Sequence, residues 1–226
     1  MLRTLCYYFL LFLMYAILGW IVEVINAYIQ KKKFVNRGFL IGPYCPIYGV
    51  GMLAIISLLQ EYTGNYIVLF ILSMTICMVL EYLTSYFMEL IFKARWWDYS
   101  NKRFNINGRI CLETAIPFGL GGMLIMYVIN SIFVGFLNRL SDNTLLILGI
   151  SLMTIFVIDL IVSFFVVIKF RNMSDKVYKD DTELMKKRVA KYLSKYSILI
   201  NRLINSFPTM RVKVEGFKEK LLSKKK

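Results

Sequence analysis

Residues Tyr66–Phe92 read YIVLFILSMTICMVLEYLTSYFMELIF, and Lys93–Glu113 follow them as KARWWDYSNKRFNINGRICLE. The first stretch decides the fold. It is apolar over more than the ~18 residues needed to cross about 30 Å of hydrocarbon. Its charges are Glu81 and Glu89. The second stretch breaks the apolar pattern with two adjacent tryptophans, Asp98, three asparagines, Gly108 and charges of both signs. A plain solvated connector needs none of these. Its counterpart is Asn36–Gly49, NRGFLIGPYCPIYG, which also joins two apolar segments.

Working outward gives five apolar segments. They run about Leu5–Ile29, Cys45–Leu59, Tyr66–Phe92, Arg109–Phe136 and Thr144–Ile168. The whole chain of 226 residues is 58% hydrophobic, with a mean hydropathy of +0.59. Soluble domains sit near 45–50%. The expected fold is all-α, a polytopic helical membrane protein of about five transmembrane helices over residues 1–170. A transmembrane barrel would need ~10-residue alternating segments, which are absent. The N-terminus lacks the charged start and small-residue cleavage site of a signal peptide, so it reads as a retained first span.

Charge sets the orientation. From Lys169 onward there are seventeen Lys and Arg against six Asp and Glu. That leaves eleven against eight before it, out of totals of 28 and 14. Basic residues collect after the first span (Lys31, Lys32, Lys33, Arg37), after the third (Lys93, Arg95, Lys102, Arg103) and in the tail. The positive-inside rule puts all three regions on the cytoplasmic face if the N-terminus is outside and the C-terminus cytoplasmic. The localisation expected is the cell membrane. Residues 171–226 form a basic tail whose Met185, Val189, Tyr192, Tyr196, Leu199 and Leu203 recur at helical spacing. An amphipathic helix over about Glu183–Phe207 is expected there. Its partners would be membrane lipids, in particular anionic headgroups of the inner leaflet, rather than nucleic acid.

The stretch Gly38–Gly49 carries Gly38, Gly42, Pro43, Pro46 and Gly49, which disfavour continuous helix. Irregular backbone at membrane depth is tolerated only when buried in protein or lining a cavity. Two readings stay open, a broken-helix entry into the membrane and a tight interfacial turn. In the third segment Ser85 and Glu89 follow Glu81 at i+4 and i+8, on one broad face.

The topology gathers the membrane charges at one depth: Glu23, Glu81, Glu89 and Asp159 in the cytoplasmic halves, with Arg109 and Glu113 at the start of the fourth span. A charge in hydrocarbon costs about 2.5–3.5 kcal/mol even on insertion scales, so such residues pair or line wet cavities. Arg109 is the natural partner of Glu81 or Glu113, and Arg37 of Glu23. Carboxylates alone would suit a cation, while two guanidiniums beside them leave an anionic group open. The candidate binding residues are Glu23, Arg37, Glu81, Trp97, Asp98, Asn105, Arg109 and Glu113. Gly38, Gly42, Pro43, Pro46, Tyr48, Gly49, Trp96 and Gly108 shape the two loops.

Several chemistries are disfavoured. There is no histidine, which removes the commonest metal ligand and neutral-pH acid–base group. A metal set of Glu23, Glu81, Glu113 and Asp98 would be all oxygen, suited to Mg²⁺ or Ca²⁺; no metal is assigned. Cys45 or Cys111 as nucleophile lacks a histidine base. No GxxxxGK[ST] occurs, so this stretch of chain supplies no P-loop and no nucleotide cofactor site.

Asn36-Arg37-Gly38-Phe39-Leu40, Gly42-Pro43 and Cys45-Pro46-Ile47-Tyr48-Gly49 resemble one hallmark of the bacterial membrane family labelled "putative ABC transporter permease" (type IV, CmpB-like). Trp96-Trp97-Asp98-Tyr99-Ser100, Asn105 and Gly108-Arg109-Ile110 resemble the other. Gly19-Trp20, Glu23 and Glu81-Tyr82 also fit, and the resemblance covers about residues 8–170. It implies a transport subunit that works with a separate ATP-binding subunit, where any ATP would sit. A chain of five spans fits one half of a homo-oligomer.

Three functions are weighed. The first is a transporter permease subunit with a cytoplasm-facing charged pocket capped by loops 36–49 and 93–113. There Trp96 and Trp97 anchor the loop at the interface. The second is a membrane-embedded enzyme or lipid-handling protein acting on a lipid or lipid-linked substrate, with Asp98 or Glu113 as acid or base. The third is a non-catalytic scaffold or regulator that signals through the tail. The sequence leaves open whether any chemistry is catalysed.

Overall fold

The computed structural model describes residues 1–32, 34–92 and 95–179, with side chains to Lys169. The expected tail helix over 183–207 lies outside the described residues.

Helix α1 spans Leu2–Lys31, α2 Pro46–Leu59 and α3 Tyr66–Phe92. A short hairpin pairs β1, Asn105–Ile106, with β2, Ile110–Cys111. Next come α4, Leu112–Leu124, a π turn over Ile125–Ile129, and α5, Asn130–Asn138. These last three form one rod, Leu112–Asn138. At its joint the amide of Ile125 is shared between the carbonyls of Gly121 and Gly122. Helix α6 spans Asp142–Lys179.

The protein is a multi-pass helical membrane protein. Four helices have the length and apolarity to cross a bilayer: Leu2–Lys31, Tyr66–Phe92, Leu112–Asn138 and Asp142–Lys169. The second expected span is built differently. Helix α2 has 14 residues, about 21 Å at 1.5 Å per residue, against about 30 Å of hydrocarbon. The prolines and glycines before it account for the shortfall. Residues 34–45 stay irregular and run inward beside α1 and α6. The Cys45 amide donates to the Ala16 carbonyl at 2.9 Å, halfway along α1. Pro46 then opens α2, where a missing amide hydrogen costs no helical bond.

The ion pair Arg3–Asp142, 2.7 Å, ties the start of α1 to the start of α6, so the two run side by side in the same direction. Helix α3 packs mainly on α4, and α2 lies between α1 and α3. Gly122 permits the α3–α4 contact. A Cβ there would lie 2.5 Å from the Ser73 Cβ, closer than two carbons approach. The core joins Cys6, Leu10, Tyr15, Met52, Ile55, Leu69, Ile125, Leu137 and Leu145. Within it the Tyr15 hydroxyl donates to Asn130 at 3.0 Å. Outward-facing residues such as Val79, Phe87, Ile132, Ile155, Ile158 and Phe165 are exposed, as lipid-facing positions of spanning helices should be.

Candidate functional site

The loop after α1 is fixed by one carboxylate. Asp159 of α6, buried, accepts from the amides of Ile41 (2.9 Å) and Gly42 (2.7 Å), from Tyr44 Oη (2.6 Å) and from Ser163 Oγ (2.9 Å). Both oxygens are therefore occupied twice. A loop without helical hydrogen bonds must satisfy its amides elsewhere, and here an intramembrane aspartate does it. Trp20 Nε1 donates to Asn36 at 2.7 Å, and Asn36 in turn to the Ile41 carbonyl at 3.3 Å. Arg37 lies half-buried in the same loop. The loop hands the chain to α2 so that Tyr48 Oη donates to Glu23 Oε1, 2.7 Å away.

The loop after α3 is held from within. Asp98 accepts from the Ser100 amide (3.0 Å) and hydroxyl (2.6 Å), with Arg95 at 3.6 Å. The Ser100 hydrogen bonds hold its carboxyl below the ordinary range. Asn105 accepts from the Gly108 amide at 3.0 Å and donates to the Lys102 carbonyl at 2.7 Å. Gly108 has φ +67°, and a Cβ there would sit 2.7 Å from Asp98 Oδ1, so only glycine fits. Trp97 Nε1 donates to the Arg109 carbonyl at 2.9 Å. Asp98, Asn105, Trp97 and Gly108 thus build the loop.

The two loops meet. Phe39 from the first packs on Trp96 from the second, ring centres 5.6 Å apart, and both pack on Phe92, at 5.4 and 5.8 Å. Trp96 is 2% exposed. Phe39, Phe92 and Val167 enclose Trp96 at this junction.

Behind the loops lie two distinct charged groups. In the first, Arg109 donates to Glu89 at 2.7 Å and to Ser85 at 3.2 Å, over the rings of Tyr82 and Tyr86. Arg95 shares Glu89 at 3.1 Å. The ion-pair partner of Arg109 is therefore Glu89, neither Glu81 nor Glu113. Glu113 faces outward and pairs with Lys102 at 2.7 Å, both more than half exposed.

The second group is Glu81 with Glu23. Glu81 is 5% exposed. Its Oε1 accepts from Tyr99 Oη at 3.1 Å, and its Oε2 is buried with no hydrogen-bond partner among the described residues. Thr114 lies beside it but donates to the Cys111 carbonyl at 3.0 Å. Glu23 is close enough to act on Glu81 electrostatically. Burial beside the Glu81 carboxylate pushes the Tyr99 phenol well above its ordinary value, so Tyr99 remains a hydrogen-bond donor at any physiological pH. Along α3, Ser73, Cys77, Glu81 and Ser85 recur every four residues, and all four are buried. Among the described residues no three Cys, Asp or Glu side chains converge as a metal site would require.

Of the sequence candidates, Glu23, Tyr48 and Glu81 come together, with Arg109 one turn from Glu81. Trp97, Asp98 and Asn105 shape the covering loop. Tyr99, Glu89 and Asp159 complete the arrangement and were not among the expected binding residues. Tyr99 stood inside the WWDYS motif, and Glu89 on the Glu81 face.

The family model described as "Putative ABC-transporter type IV" matches residues 10–164. That span includes both loops, Asp159 and the Glu23–Glu81 centre. No curated protein and no solved structure matches the chain.

Proposed function

Because the chain belongs to the family described as "Putative ABC-transporter type IV", we propose that it is the membrane-embedded permease subunit of a transporter. Its working centre is the Glu23–Glu81 pair, and a separate ATP-binding subunit supplies the energy. The observation that carries this reading is Glu81, a buried carboxylate in an apolar helix with one oxygen left without a partner. Membrane proteins place such costly groups where polar cargo binds or passes. The loops at 36–49 and 95–113 cover the centre, and the positive-inside rule assigns them to the cytoplasm. On that assignment the N-terminus lies outside the cell membrane. The basic tail then lies against anionic headgroups.

Gentle detergent extraction at native expression, followed by mass spectrometry, tests the partnership. A stoichiometric ATP-binding subunit is the expected result. A lipid bound in its place, with no such subunit, would overturn the reading and favour a lipid-handling protein.

A further inference from the structure

We propose that Glu81 and Glu23 together hold one exchangeable monovalent cation, a proton or an alkali-metal ion. This rests on the transporter reading for its purpose, and deepens it from a polar centre to a coupling-ion site.

Charge is the first constraint on what this centre can hold. The nearby cations whose pairs are seen are committed elsewhere. Arg109 and Arg95 converge on Glu89, and Lys102 holds Glu113. What faces Glu81 from each packed element is uncharged or negative. Helix α1 presents Glu23 and α2 presents Tyr48, which donates to Glu23. The hairpin loop presents Tyr99. Helix α3 itself adds Cys77, and α4 contributes Thr114. The two carboxylates act on each other electrostatically, and among the described residues no ion pair reaches either.

The second point is the ligand set. Among the described residues the polar groups around the centre are oxygens, with the thiols of Cys77, Cys45 and Cys111 beside them. Carboxylate and hydroxyl oxygens suit hard cations. Two carboxylates, one already engaged by Tyr48 and one by Tyr99, leave Glu81 Oε2 as the open position. A negatively charged set rich in oxygen favours a hard cation over an anionic cargo. A further unpartnered group lies on the same helix face: the Ser73 hydroxyl is fully buried, two turns along α3. Ser73, Cys77, Glu81 and Ser85 form a polar stripe along the apolar helix.

Perfusion infrared difference spectroscopy tests this on the full chain in lipid nanodiscs, with no partner needed. One arm switches the medium from acid to alkaline with choline as the only other cation. The second exchanges choline for Na⁺ or K⁺ at fixed pH. A carboxylic C=O band that appears in acid, and is lost in Glu81→Gln, identifies a proton. A carboxylate shift on Na⁺ or K⁺ exchange, lost in the same variant, identifies an alkali-metal ion. Glu23→Gln and Tyr99→Phe should each shift the band without abolishing it, and Glu113→Gln should leave it unchanged. Spectra of folded wild-type protein with no change in either arm would overturn the proposal, as would a band that survives Glu81→Gln. An ATP-binding partner without the Glu81 band ends this inference and spares the transporter reading. The band without any such partner upholds the ion site and ends the transporter reading.

Discussion

Asp159 and Glu81 are both buried carboxylates in apolar helices, exposed by 9% and 5%, and their surroundings are opposite. Asp159 accepts four hydrogen bonds, two from the backbone of a neighbouring loop. Glu81 accepts one, from Tyr99, and keeps one oxygen unpartnered. Removing a carboxylate from water is expensive, and the donors around Asp159 offset that cost as the fold forms. Around Glu81 they do not. The first carboxylate is part of the frame, and the second is a centre that the frame supports.

Substitutions can break this comparison. The largest effect should come from Asp159→Ala, which strands the amides of Ile41 and Gly42 without an acceptor. Leaving a buried donor unpaired costs about 1–3 kcal/mol. Hydrogen exchange at Gly38–Pro46 should accelerate sharply, and unchanged exchange would contradict the clamp. Arg109→Ala should follow. It removes a charged hydrogen-bonded pair with Glu89, worth roughly 1.5–3 kcal/mol, while the backbone carbonyl that accepts from Trp97 Nε1 remains. A lower melting temperature is the expected readout.

Glu81→Gln should cost less than about 1 kcal/mol, because it discharges a poorly satisfied group and keeps its shape. Transport should nevertheless be lost; full transport in the variant would remove Glu81 from the mechanism. The smallest effect is the pH response of Asp98. Its carboxyl is held low by Ser100, so its contribution to the hairpin loop is fully present above the ordinary carboxylate range. It is lost as pH falls through the lowered value. Asp98→Asn should flatten that acid transition in loop fluorescence, because the loop then lacks the ionised carboxylate's contribution at every pH.

Much of the frame was legible in the sequence. Length and apolarity gave the four long rods. Gly38, Gly42 and Pro43 marked where helix must fail, and Pro46 where it restarts, although how far the irregular backbone enters depends on the Ala16 and Asp159 contacts. The β1–β2 hairpin is encoded in Asn107-Gly108, a strong turn signal that the charges and aromatics around it obscure. The partner of Arg109 could not be read either. Periodicity puts Glu81, Ser85 and Glu89 on one face, but which of them meets Arg109 depends on how the hairpin returns the chain. The role of Asp159 was hidden for a different reason. Half of its donors are backbone amides, which every residue except proline carries. The Phe39–Trp96 contact was hidden because its two residues lie far apart in sequence.

The most direct measurement is thermal unfolding of Asp159→Asn and Glu81→Gln side by side, in one lipid and detergent mixture. Each replaces a carboxylate by an amide of the same shape. In Asp159→Asn the new NH₂ must face donors, so the melting temperature should fall markedly. In Glu81→Gln it should stay level or rise. A large fall for Glu81→Gln with little change for Asp159→Asn would contradict the account, because Glu81 would then belong to the frame and Asp159 would not.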